Sequence, residues 1–517
     1  MPGTSRRRRA VGAAATAGLA LILAACSAGA SPASPGTGSA PAPAGSAGVS
    51  DATVSVGLAT VPASLDFTTT GGAAIFQALM GNVYEGLVQL GDDGSVQPLL
   101  ATSWTVSDDG LRYTFTLRDG VTFHDGAAFT ADDVKFSLER LSQWTANTPG
   151  NLAAIDHVEV DSPTQATVVL SAPDANALFW LAGPLGAMFD PDSVASLATQ
   201  ANGTGPFTFV SYEQSVTMVL TRNDDYWGAP AKVKEVDLDY FADAASAANA
   251  LRTGGVDALF QAEAYDQIPS FDADPAFTVT TGTTQGVVVM SMNSAHGALG
   301  DTRVRQAIAT AIDKTAVLAA ATAGYGTVLG GPSVPTDPYY VDTSGTYAYD
   351  PDAAKALLAR ADATGLSLTF TVPNRPYAQA IAQVVQSDLA AVGITVTLVP
   401  QEFPAVWVDQ TMTKKNFDLT VTNHVEPRNI TNYANPDYYW SYDSAPARDL
   451  FAQAKAAVGD DAFTAAMKDA AALVVSDSPG AWLYNPPNVV VTRAAVSGFA
   501  TNYMGVGIGL AQVAVAQ

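Results

Sequence analysis

Two loops in the second half of the chain carry side chains suited to holding a small charged molecule. Arg375 sits in Val372-Pro-Asn-Arg-Pro-Tyr377, between an alternating strand and the helix it feeds. In parallel α/β arrangements, ligands meet the loops at the carboxyl ends of strands. A guanidinium there matches a carboxylate through two parallel hydrogen bonds. Glu426, Arg428 and Asn429 lie in Asn423-His-Val-Glu-Pro-Arg-Asn429, after a strand over Phe417 to Val421. A carboxylate here complements an ammonium. Arg428, two residues on, can bind ligand, pair with Glu426 or face solvent. Trp407, Tyr433 and Trp440, with Tyr438, Tyr439 and Tyr442, surround this region. They can wall side-chain pockets or pack as ordinary core.

Other chemistries find no residues to carry them. The sequence has no Gly-Lys-Ser/Thr phosphate loop, no His-Glu-x-x-His and no Gly-x-Ser-x-Gly elbow. Its glycine clusters, Gly324-Tyr-Gly326 and Gly505-Val-Gly-Ile-Gly509, have the wrong spacing for a dinucleotide. The four histidines, His124, His157, His296 and His424, are scattered, and there is one cysteine. No metal site, cofactor or nucleophile–base pair is expected. With 25 Lys+Arg against 49 Asp+Glu, net −24, the chain does not suit a nucleic-acid backbone.

The elements that position the loops follow from periodicity and turn signals. Strands are expected at Thr53 to Leu58, Tyr113 to Leu117, Val158 to Val160, Ala166 to Leu170, Val216 to Thr221 and Val233 to Tyr240. In the second half, Asp301 caps a helix with Val304, Ile308, Ile312 and Val317 on one face. Asp350-Pro351 opens another. Leu366 to Val372, a helix over Tyr377 to Ala391, Gly393 as its left-handed stop, and Ile394 to Val399 make a βαβ crossover. A last helix runs from about Asp461 to Val475, followed by strands at Trp482 to Tyr484 and Val489 to Thr492. With 517 residues, 48% of them hydrophobic, about two to four domains with real cores are expected.

The N-terminus reads as an address. Arg6 to Arg9 precede an uncharged stretch ending Leu23-Ala-Ala-Cys26, too short to span a membrane comfortably. The lone cysteine stands where a bacterial lipobox places its acylated residue. Residues 1–25 read as a lipoprotein signal peptide, whose removal takes four basic residues and no acidic ones. Residues 26–50 read as the acylated Cys26 and a Ser/Ala/Gly/Pro tether. This implies a body held by lipid on the extracytoplasmic face of a cell membrane.

Motifs run in order through the body: Asn82-Val-Tyr-Glu-Gly-Leu87, Pro98-Leu-Leu-Ala-Thr-Ser-Trp104, Tyr113-Thr-Phe-Thr-Leu-Arg118 and Gly120-Val-Thr-Phe-His-Asp-Gly126. Phe129-Thr-Ala-Asp-Asp-Val134, Gly203-Thr-Gly-Pro-Phe207, Asn223-Asp-Asp-Tyr-Trp227, Gly255-Val-Asp257 and Asp301-Thr-Arg-Val-Arg-Gln-Ala-Ile308 follow. In these the chain resembles the family 5 extracellular solute-binding proteins (peptide/nickel class) of ABC transporters, the dipeptide- and oligopeptide-binding lipoproteins. The resemblance implies an α/β, two-lobed, type II periplasmic-binding-protein-like fold with an extra subdomain in the first lobe and two crossing strands between lobes. On it, residues 51–71, 203–285 and 487–517 form the core of the first lobe, 72–202 the subdomain and 286–486 the second, specificity-bearing lobe. It implies a monomer that binds a small peptide between the lobes and delivers it to ABC permease subunits with separate ATPase subunits. Relatives carry an Arg for the peptide C-terminus in a loop like that of Arg375. They carry Gly-Trp-x-x-Asp, whose Asp takes the peptide ammonium, where this chain has Asn423 and Glu426; the acid is kept, longer, and the Trp is lost, and the resemblance implies Arg375 and Glu426 as the pair that holds a zwitterion. Most other motif residues should be structural: Asp132 and Asp133 as helix caps, Arg305 as a partner for a carboxylate. Oligosaccharide or nickel-chelate binding, peptide-pheromone sensing and, remotely, a secreted hydrolase are the alternatives.

Overall fold

The computed structural model describes residues 48–147 and 149–516, all within one compact unit, Ala47–Gln517. Cys26, the signal peptide and most of the tether lie outside the described residues. Two large sheets organise the unit. The first has seven strands and includes Thr53–Leu58, Phe207–Glu213, Thr217–Arg222, Glu235–Tyr240, Phe277–Thr283 and Pro487–Arg493. The second has six and includes Val287–Met292, Ser367–Pro373, Thr395–Gln401, Leu419–His424 and Gly480–Asn485. A separate four-stranded antiparallel sheet, Ala101–Val106, Arg112–Leu117, Gln165–Leu170 and Ile155–Ser162, forms the subdomain.

The two lobes are joined where Phe277–Thr283 leads into Val287–Met292 and where Gly480–Asn485 leads into Pro487–Arg493. Buried Asn485 ties these crossings together. Its amide donates to the carbonyls of Thr284 (2.8 Å) and Gly286 (2.7 Å), and its oxygen accepts from the Thr283 hydroxyl. The two crossings are thus linked to each other through one side chain.

The second lobe contains the crossover that the sequence spells out. Ser367–Pro373 and Thr395–Gln401 pair in parallel, with helix Pro376–Ala391 between them and Gly393 at φ 88°. The apolar stripe Val304 to Val317 divides into two helices, Thr302–Thr310 and Lys314–Thr322. The break comes because the Asp313 carboxylate accepts from the amides of Thr315 and Ala316, both at 3.0 Å, and so caps a second helix. Helix Ala131–Glu139 starts at Thr130 as N-cap, and of the two acids in its first turn Asp133 takes part in the capping box. Asp133 is its third residue, and its carboxylate accepts from the Thr130 amide at 2.7 Å. Arg305 is buried and pairs with carbonyls, not a carboxylate: it donates to Leu299 (2.9 Å), Ser478 (3.1 Å) and Asp477 (2.6 Å).

The ordered motifs of the first half meet in a single structural knot. Buried Glu85 accepts from Thr204 Oγ1 (2.9 Å), Tyr226 Oη (2.7 Å) and Trp227 Nε1 (3.0 Å). Arg118 stacks over Trp227 at 4.2 Å, and His124 Nε2 meets the Gly205 carbonyl at 3.0 Å. Gly203 and Gly205 are needed for contact: a Cβ on them would stand 2.0 Å from the Val83 carbonyl oxygen and 2.3 Å from that of Asn82. Burial pushes the Glu85 carboxyl from 4.5 up to about 7, against the hydrogen bonds it accepts. The folded state thus holds the proton more tightly than the unfolded chain. The stabilisation is full below pH 4.5 and is lost as pH rises to about 7. Glu85→Gln should flatten this dependence. Between pH 5 and pH 8 the wild type is expected to lose on the order of 2 kcal/mol more than the variant in denaturant titrations. Equal losses would contradict the assignment.

Candidate functional site

Glu426 and Arg428 follow the strand Leu419–His424, whose neighbour in parallel is Ser367–Pro373, so both candidate loops leave the same end of the second sheet, its edge of strand C-termini. Beyond that edge lies a cavity of about 430 Å³. The second lobe contributes Glu426, Arg428 and Asn429 to its wall; the first contributes Phe76, Trp180 and Tyr503. Its size falls within the range of small-ligand pockets. A second cavity of about 530 Å³ shares Arg428 and Phe179 with the first.

The Glu426 side chain is 62% exposed toward this space, and its Oε2 stands 3.6 Å from Nδ1 of His424. Loss of surrounding water raises its pKa, but the His424 contact outweighs that and leaves the carboxyl below the usual range. It is ionised at neutral pH. His424 is buried and fixed from its other side, where Nε2 meets the Tyr439 hydroxyl at 2.9 Å.

Arg428 is only 8% exposed. Its guanidinium lies 3.8 Å from the centre of the Phe179 ring and 5.1 Å from that of Phe463. Nη1 donates to the amide oxygen of Asn176, so the residue reaches from the second lobe to the subdomain of the first. It does not pair with Glu426, which has His424 instead.

Arg375 does not border the 430 Å³ cavity. It is exposed at the start of helix Pro376–Ala391, with its guanidinium 5.1 Å from the centre of the Phe403 ring. Its charge acts on Glu263, an acid of the first lobe that sequence reasoning missed. Glu263 is open to solvent yet flanked by protein that pushes its pKa up, and Arg375 pulls it back. Beside them the Asn423 amide donates to Tyr377 Oη at 3.0 Å, and Tyr265 stacks on Tyr325 at 6.2 Å.

Of the two roles open to the aromatics, packing as core is the one that Trp407, Tyr433 and Trp440 take. Trp407, Tyr433 and Trp440 are 2%, 2% and 0% exposed. Tyr433 and Trp440 stack at 4.2 Å with planes 13° apart, and Tyr433 Oη accepts from Trp482 Nε1 at 3.1 Å. Trp407 donates to Thr420 Oγ1 at 3.0 Å. These rings bury large apolar area and shape the floor under His424. They line neither cavity. The first lobe supplies Trp180 and Phe76 instead, two aromatics that lie in no pattern near the candidate loops. Among the described residues no three His, Cys, Asp or Glu side chains gather as a metal-binding set, and no helix is long and apolar enough to cross a membrane.

Residues 95–451 match the family model of bacterial extracellular solute-binding proteins, family 5. The chain is 28% identical over 380 residues to heme-binding protein A of Haemophilus influenzae, covering 67% of this chain and 69% of that one. It is 31% identical over 337 residues to di/tripeptide-binding protein 2 of Pseudomonas aeruginosa, covering 59% and 63%. The solved structure of HbpA2 from Haemophilus parasuis superposes with a TM-score of 0.79 at 25% identity, over 90% of this chain and all of that one (100%). The chain belongs to the family 5 bacterial extracellular solute-binding proteins.

Proposed function

We propose that this protein is the solute-binding component of an ABC importer, anchored through lipid on Cys26, that takes up short peptides between its lobes and passes them to a permease. The observation that carries the peptide reading is an interlobe cavity of about 430 Å³ with one ionised carboxylate, Glu426, on its wall. An apolar space with a few placed polar groups suits a small amphiphilic ligand. A fixed negative charge in it selects an ammonium. The name of the Pseudomonas relative supports the same class.

In this reading Glu426 takes the peptide's N-terminal ammonium and Asn429 a backbone amide. Arg375 attracts Glu263 across the gap between lobes and favours closure. The protein works as a monomer and performs no catalysis. Lipid attachment, handover to the permease and the separate ATPase are parts of the proposal.

Thermal melts of the protein with di- to pentapeptides, heme, nickel salts and oligosaccharides test it. A ligand at a hundredfold excess over its Kd stabilises by about 2.7 kcal/mol, which a melt reads directly. Stabilisation by peptides is expected. A shift only with sugar, nickel or heme would replace the peptide reading.

A further inference from the structure

The 430 Å³ and 530 Å³ cavities meet at two side chains. Among the described residues, Phe179 and Arg428 are the two that line both. They come from opposite lobes: Phe179 from helix Ala177–Leu181 of the subdomain, Arg428 from the loop after strand Leu419–His424. The guanidinium lies 3.8 Å from the centre of the ring, and both residues are buried. A cation on an aromatic face at that range is attracted by the ring's quadrupole. Together the two side chains form a wall between the cavities.

The wall is pinned from several sides. Asn176, one turn before Phe179, accepts from Arg428 Nη1, so one stretch of the subdomain supplies both the ring and the acceptor. The same stretch is fastened to the second lobe again: the Ala175 amide donates to the Lys455 carbonyl at 2.9 Å, and Asp174 Oδ2 lies 3.4 Å from Lys455 Nζ. Phe463 stands 5.1 Å from the guanidinium. Asp337, Asp174 and Asp460 act on it through space, so its charge is balanced within the protein and requires no group from a ligand. Behind the wall, Trp104, Val106, Tyr113, Leu178 and Phe463 line the 530 Å³ cavity, a size and lining that suit apolar parts of a ligand.

We infer that Phe179, seated on Arg428, is the residue that limits ligand length: it closes the first cavity and keeps a ligand out of the second. The inference rests on the peptide reading above and concerns how far a peptide reaches, not which groups take its charges. An extended chain gains about 3.5 Å per residue. A residue added beyond the first cavity meets the wall. Displacing the wall breaks the contact of cation and ring and takes from a buried guanidinium its Asn176 acceptor, which is costly. Truncating Phe179 opens a passage, and the space within reach more than doubles. The peptides admitted then are longer ones with apolar side chains in the added residues.

Calorimetric titration of the wild type and Phe179→Ala with Ala-Leu, Ala-Leu-Ala and Ala-Leu-Ala-Leu-Ala tests the assignment. The wild type should bind the better of the two short peptides at least about 10-fold more tightly than the pentapeptide. In Phe179→Ala that preference should disappear. Adding Trp104→Ala, which removes a ring from the second cavity alone, should restore part of it. Phe179→Leu, which keeps an apolar side chain, serves if the Ala variant does not fold, and should lower the preference in the same direction. Equal binding of dipeptide and pentapeptide by the wild type would overturn the inference, and so would a wild-type preference retained in the Phe179 variants. A preference unaltered by adding Trp104→Ala would place the extra residues outside the second cavity and overturn it too. Failure of every peptide to bind the wild type would remove the peptide reading itself, and the inference with it.

Discussion

Glu426→Gln is expected to weaken binding of a free dipeptide by about 2 kcal/mol or more, the low end of the cost of removing one partner from a buried charge pair. The substitution keeps size and shape, so it isolates charge. With the cavity empty, the carboxylate is 62% exposed and costs the fold little. Once a ligand covers it, its ammonium partner has no water to fall back on, and the pair becomes strong because both members are desolvated together. His424 holds the carboxyl in its ionised form. Calorimetry on wild type and variant measures the loss. The N-acetyl peptide, which has no ammonium, should bind both proteins equally weakly. An unchanged Kd for the free dipeptide in Glu426→Gln would remove this residue from the site.

Trp440→Ala should act on the fold before it acts on the ligand. The ring is fully buried and packed on four neighbours: Tyr433 at 4.2 Å, Tyr438 at 4.4 Å, Tyr439 at 4.9 Å and His424 at 5.7 Å. Truncating a buried Trp to Ala costs about 3–5 kcal/mol, the lost transfer of the ring plus the cavity it leaves. Denaturant titration should show that loss as a lower midpoint. Affinity should fall only as far as His424 and the loop behind Glu426 lose their support. A variant with normal stability and greatly weakened binding would instead put Trp440 in the ligand wall, where the sequence alone left it as an option.

How far the sequence reaches can be judged from such cases. The crossover from Ser367–Pro373 through Pro376–Ala391 to Thr395–Gln401 is legible because its period changes from two to about 3.6 and back, with Gly393 marking the turn. The two-lobed architecture followed from ordered motifs. The reason those motifs occur together, the knot around Glu85, is visible only in three dimensions, since Glu85, Thr204 and Trp227 are far apart in the chain. The continuous stripe from Val304 to Val317 hid the helix break, because Asp313 is a cap whose effect on the pattern is one residue wide. Helix Ala445–Lys455, opened by Ser444 with Pro446 inside its first turn, has caps readable in the sequence.

Within the site, residue type drew attention to Glu426 but left the role of the surrounding aromatics open. Aromatic side chains near a ligand loop satisfy the same compositional criterion whether they face a cleft or a core. Only burial separates Trp440 from Trp180. Arg375 stands at the end of a strand as its sequence context indicates, but it borders neither cavity, and its charge acts on Glu263. Asn176 and Phe179, which define the position of Arg428, come from the other lobe and carry no local signal of that role.

The central claim is that the space between the lobes is a site for short free peptides organised by Glu426. Native mass spectrometry of the purified protein, offered an equimolar mixture of dipeptides, pentapeptides, heme, a nickel salt and an oligosaccharide, tests it most directly. A single peptide bound per chain is expected on the wild type, and its loss in Glu426→Gln with the fold intact. A heme, nickel or sugar adduct on the wild type, or a dipeptide adduct undiminished in the variant, would contradict it.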